Sequence, residues 1–204
     1  MPVDPSDTDA RDRGRPASDE REPNHAGGVT VEPGTMDDVE TVADLWVRLA
    51  DGQRSHGTHL AAAENRPAAA DAAARAVVTG GLVVARASAP DPDESGADAG
   101  LPDEGSRGVV GFVTFGIESG RYDLDVTRGA VYNLFVREGY RDGGVGAELL
   151  AAAESALADE GVDVVALEAM AANRDARRFY ERHGYDAHRI ELEKPVDGDG
   201  SDSD

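Results

Sequence analysis

The chain contains no cysteine. That excludes disulfides, thiolate metal sites and a cysteine nucleophile. Long apolar runs are also missing, so no segment has the length needed to cross a bilayer as a helix. The opening stretch MPVDPSDTDARDRGRP has no signal-peptide core, and a soluble cytoplasmic protein is expected. Positive charge is scarce: 20 basic residues face 41 acidic ones, a formal net charge of -21. Only Lys194 is a lysine; the other basic residues are arginines. A surface this acidic repels phosphate backbones and excludes a nucleic-acid partner.

The acid excess is spread through tails and loops, which fits a solvated surface better than a field focused on one site. The composition resembles that of proteins from salt-accumulating, halophilic organisms. At molar salt the Debye length is about 3 Å, so long-range steering would be weak there.

What is present falls into one domain of mixed α/β character over residues 29–194. Residues 1–28 are rich in Asp, Arg, Pro and Gly and hold almost no large apolar side chain. They cannot bury enough surface to offset the entropy of ordering, and a disordered acidic tail is expected. The same composition recurs in residues 195–204 and in the internal stretch 88–108, expected to be a disordered acidic loop between two strands. Between these segments, strands are predicted at 29–33, 81–87, 109–117, 130–136, 162–170 and 185–193. Helices are predicted at 36–50 with Thr35 as N-cap, from Pro67 to about Thr79, after the glycine cluster to Glu160, and over 173–183. The strand–helix–strand unit from 130 to 170 should be a right-handed parallel crossover. It puts Arg141-Asp142-Gly143-Gly144-Val145-Gly146 at the carboxyl end of its first strand, where open α/β sheets bind ligands.

That loop lacks the GK[ST] ending of a P-loop and the spacing of a dinucleotide fingerprint. What remains is R-x-x-G-x-G ahead of a helix. Glycines allow close backbone approach, and successive amides with the helix dipole could hold one anion. Taken alone, the pattern is equally a plain turn.

A second motif follows the next strand: Asn173-x-x-Ala176-x-x-Phe179-Tyr180-x-x-x-Gly184-Tyr185. With R-x-x-G-x-G upstream, it resembles the GNAT N-acetyltransferase superfamily, and the likeness spans residues 29–194. The resemblance implies a GNAT fold, a central mixed and mostly antiparallel sheet of roughly six to seven strands flanked by about four helices. A splayed parallel strand pair would bind coenzyme A. It implies transfer of an acetyl group from acetyl-CoA to a primary amine, with no metal. The alternative is a non-catalytic acyl-CoA-binding module of the same fold.

By the same resemblance, backbone groups of Leu134, Phe135 and Val136 would pair with the pantetheine arm, while their side chains pack in the core. One amide there would polarise the thioester carbonyl. Amides of Arg141, Asp142, Gly143, Gly144, Val145 and Gly146 would hold the pyrophosphate. Asn173 is either a helix N-cap alone or also a contact to the cofactor arm. Tyr180 would protonate the departing thiolate, against the simpler role of packing on the sheet. The strand RGAVYNLFV has no carboxylate to act as base, and Glu118, Asp123 and Asp125 are the candidates, each also readable as a solvated loop acid. Gln53, Arg54, His56 and His59 are expected near the acceptor, or else form an ordinary polar connection. His56 and His59 lack a neighbouring acid to complete a metal site. Arg177 and Arg178 would either reach the adenosine 3′-phosphate or pair with nearby acids such as Glu181. The short C-terminus after Lys194 leaves a sheet edge for a homodimer.

Overall fold

The computed structural model describes residues 28–88, 108–118 and 124–194. The two acidic tails, most of the acidic loop and Asp123 lie outside the described residues. Five strands and four α-helices follow in the order β1 (Val29–Pro33), α1 (Val39–Arg54), α2 (Arg66–Val78), β2 (Leu82–Ala87), β3 (Val109–Ile117), β4 (Arg128–Val136), α3 (Val145–Asp159), β5 (Val164–Leu167) and α4 (Arg174–Arg182). The strands form one sheet in sequence order, antiparallel from β1 to β4, with β5 parallel to β4.

Layering follows from alternation along the strands. On β3, Val110, Val113 and Phe115 face α3 and meet Leu149, Leu150, Ala153 and Leu157. Val109 and Phe112 face the other way, against Val42 and Leu45 of α1 and Ala73 of α2. Because both faces of β3 are covered, its first seven residues are buried, a largely apolar run in which Thr114 is the polar member. Helix α1 begins through a 3₁₀ turn, Met36–Asp38, preceded by Thr35 in extended conformation. The buried Asp38 carboxylate accepts from the Thr35 amide at 3.0 Å and the Thr35 hydroxyl at 2.9 Å. Arg86 Nη2 reaches the same carboxylate at 3.0 Å, so this corner pins α1 to β2.

Two features of β4 set up the site. Asn133 pairs with Thr114 and Val131 with Phe115, so Tyr132 is an extra residue that nothing on β3 opposes. Such a bulge bends its strand and disrupts the ladder locally. On the other side, β5 pairs only with Arg128–Val131. Beyond Val131 this edge of β4 has no strand paired to it among the described residues.

The sheet has five strands among the described residues, not the roughly six to seven expected. Residues 185–193 keep a strand-like alternation but form no strand. Tyr185 is instead drawn onto α3, its hydroxyl donating to Glu154 at 2.7 Å, and Glu193 lies 3.3 Å from His59. β5 has only four residues to offer as an edge, and Ile190 and Leu192 stay 84% and 89% exposed. The strand expected at 162–170 spans only Val164–Leu167, and its pairing with β4 ends there.

Candidate active site

Hydrogen bonds along β4 fix which backbone groups face the gap. The Arg137 amide donates to Val110 O of β3 at 2.8 Å. Amides alternate sides along an extended chain, so those of Leu134 and Val136 face away from β3, toward the gap. The carbonyl of Val136 agrees, since it accepts from Arg141 Nε at 2.9 Å. The Phe135 side chain is buried between β3 and α1, and those of Leu134 and Val136 pack on the α3 side. Backbone toward the gap and side chains into the core therefore coexist.

The glycine loop closes one end of this edge. Asp142 is the one described non-glycine residue with positive φ, at 62°, and Gly144 follows at φ 88°. Left-handed residues in quick succession curl consecutive amides toward one side, the geometry that makes an anion nest. The first amides bonded inside α3 are those of Ala147 and Glu148, both to Gly144 O, at 2.9 and 3.1 Å. Among the described residues the amides from Asp142 to Gly146 have no internal acceptor, as expected for a helix start. Arg141 differs. Its amide donates to Glu138 O at 3.2 Å, and its guanidinium sits 5.9 Å from the Phe135 ring. Its side chain braces the loop, and its amide is occupied.

Helix α4 forms the opposite wall. The Asn173 side chain accepts from the Ala176 amide at 3.0 Å, which caps the helix. Tyr180 lies seven residues later, two turns on, and so on the same face. It is half-buried, held edge-on by Phe179 at 5.2 Å and Tyr185 at 5.9 Å. Burial pushes its phenol above the ordinary tyrosine range, so at neutral pH it keeps its proton.

Between these walls lies a small, open cleft. Val131, Leu134 and Tyr180 line one side, and Leu49 and Gln53 of α1 close it from the other. Tyr132 and Asn133 border it at the bulge, and Glu168, one residue past β5, completes the lining. Asn133 is fixed by its neighbours: Trp46 Nε1 donates to its Oδ1 at 3.1 Å, and its Nδ2 donates to Thr114 Oγ1 at 2.8 Å. Glu168 is the carboxylate that sequence reasoning missed. Its only signal was position, directly after an apolar strand.

The other candidates sit elsewhere. Glu118 faces Arg128 at 3.0 Å, an ion pair by distance whose N–H is not aimed at the carboxylate, and it does not line the cleft. Asp125, Arg54 and His56 are also absent from the lining, and His59 is engaged with Glu193. Arg178 pairs with Asp175, and Arg177 lies 3.9 Å from Glu181. Among the described residues no group of three or more His, Asp or Glu is placed to hold a metal ion.

Comparison with known proteins fits this geometry. The model of the acetyltransferase (GNAT) family matches residues 84–185, half of the chain. No curated protein sequence matches. A GCN5-related N-acetyltransferase from Ralstonia eutropha JMP134 superposes with a TM-score of 0.59 at 20% identity, over 84% of this chain and 100% of that one. A Trypanosoma brucei acetyltransferase superposes at 0.52 with 19% identity, over 82% and 99%. The NatC complex, solved with a Gag peptide and CoA, contains a chain that superposes at 0.53 with 16% identity, over 79% and 87%. At these identities the superpositions establish the fold.

Proposed function

The chain belongs to the GNAT acetyltransferase family, and from that premise we propose that it transfers an acetyl group from acetyl-CoA to a primary amine. One observation carries the reading. The unpaired edge of β4 runs from the glycine loop to a cleft holding both a protonated phenol, Tyr180, and a carboxylate, Glu168.

The residues suit acetyl-CoA as a substrate. The amides of Leu134 and Val136 can pair with the amide-bearing pantetheine arm as an added strand would. The free amides from Asp142 to Gly146 suit the pyrophosphate. With the thioester carbonyl near Leu134, its amide stabilises the oxyanion as the tetrahedral adduct forms.

The amine arrives as an ammonium. Glu168, directly or through one water, takes a proton and frees the nitrogen lone pair. Nitrogen attacks the acyl carbon, and the new C–N bond forms as the carbonyl electrons move to oxygen. When the adduct collapses, the C–S bond breaks, nitrogen sheds its second proton to solvent, and the thiolate takes the phenolic proton of Tyr180. The proton on Glu168 then passes through solvent to the Tyr180 phenolate, restoring both groups; products are the amide and free coenzyme A, with one proton released overall.

Thiol release from acetyl-CoA in the presence of a panel of primary amines tests the proposal. Binding of acetyl-CoA without amine-dependent thiol release would instead indicate an acyl-CoA-sensing module.

A further inference from the structure

The chemistry of the cleft lining narrows the acceptor. Among the described residues Glu168 is its one charged group; the remaining lining residues are two tyrosines, two carboxamide residues and three aliphatic residues. Asn133 has its carboxamide committed at both ends, to Trp46 and Thr114. Gln53 is thus the carboxamide left to turn toward a ligand. No described arginine or lysine lines the cleft. Arg54 is exposed, and Arg141 is bonded to Val136 O at the far end of the edge. Tyr132, carried out by the bulge, is 59% exposed. Its ring lies over Gly116, where a β-carbon would come within 3.5 Å of it. A tyrosine ring and a carboxylate bordering one cleft both favour a cation.

Resting on the transferase reading, we propose that the acceptor presents an alkylammonium group with no carboxylate on the carbon bearing the nitrogen. An alkyl amine, free or as a lysine side chain, fits; a free α-amino acid does not. The carboxylate of an amino acid would enter beside Glu168 and find no counter-ion, leaving an unpaired anion partly desolvated. The alkyl chain, by contrast, lies along Leu49 and the Tyr132 ring.

The test compares n-pentylamine with norleucine, which has the same chain plus that one carboxylate. Nα-acetyl-lysine amide, run alongside, reports the side-chain source. The expected kcat/KM for n-pentylamine exceeds that for norleucine at least tenfold, and Gln53→Arg narrows the gap by accelerating norleucine. Norleucine used within threefold of n-pentylamine overturns the proposal while leaving the transferase reading intact. Should neither amine release thiol, calorimetry of both against the coenzyme A complex decides. Binding of n-pentylamine alone upholds the charge preference and removes the transferase reading. Equal binding, or none, overturns the preference.

Discussion

The indole N–H of Trp46 donates to Asn133 Oδ1 across 3.1 Å, and this bond ties α1 to β4 at the residue after the bulge. Trp46→Phe keeps the apolar bulk and removes the donor. A lost hydrogen bond of this kind costs about 1 kcal/mol. The urea midpoint should fall accordingly, and the apparent KM for the amine should rise more than kcat changes. An unaltered midpoint would mean that the contact carries no net stabilisation.

Tyr180→Phe removes the proposed acid without removing the ring. General acid catalysis contributes about 10²- to 10⁴-fold, so kcat should fall by about 10² or more while the Kd for coenzyme A holds. Burial raises the phenol pKa, so the acid stays protonated from neutral through mildly alkaline pH. The kcat profile should therefore show no loss over that range from this group. Turnover unchanged in the variant would leave Tyr180 only its packing role.

The glycine loop gives a paired test. Gly144 sits at φ 88°, where a side chain costs roughly 1–2 kcal/mol, and Gly144→Ala should distort the nest and weaken coenzyme A binding. Gly146 has no such φ, and its β-carbon would meet Phe179 at an ordinary 3.6 Å. Gly146→Ala should fold and bind almost as the parent does. Calorimetric titration with coenzyme A distinguishes the two, and equal affinities would show that the loop is a turn and no more.

Asp38 should leave a mark on acid stability. Burial alone would raise its pKa, but bonds from Thr35 and Arg86 outweigh it and hold the carboxyl below the ordinary aspartate range. A carboxylate depressed in the folded state stabilises above its unfolded pKa and loses that contribution as pH falls through the folded value. Asp38→Asn should thus cost about 2 kcal/mol near neutrality, with the gap to the parent closing below about pH 4. Thermal melts of both proteins across that window check it. A gap that persists in acid would assign the effect to packing.

The net charge of -21 predicts a salt dependence. Raising KCl from about 0.1 M to about 2 M should screen self-repulsion and raise the melting temperature. A melting temperature that stays flat or falls would show that the acidic surface has no stabilising partner in salt.

Local signals made much of this legible. R-x-x-G-x-G and Asn173 to Tyr180 are short patterns whose chemistry lies in adjacent residues, and the strands they follow carry their own apolar runs. Glu168 was hidden because its role depends on where β5 ends. That depends on how far β5 pairs with β4, a strand some thirty-five residues earlier in the chain. The absent sixth strand has a related cause. Residues 185–193 alternate as a strand should, but pairing needs an edge of matching length, and β5 is too short to supply one.

The extra residue in β4 also divides the strand by task. Arg128–Val131 is clamped between two neighbours, while the stretch beyond Tyr132 keeps only one. On the proposed transferase reading, changes at Tyr132 and at the end of α1 would retune which amine is accepted, while the α3 core that sustains folding stays untouched. A chain built this way can change its customer without rebuilding its workshop.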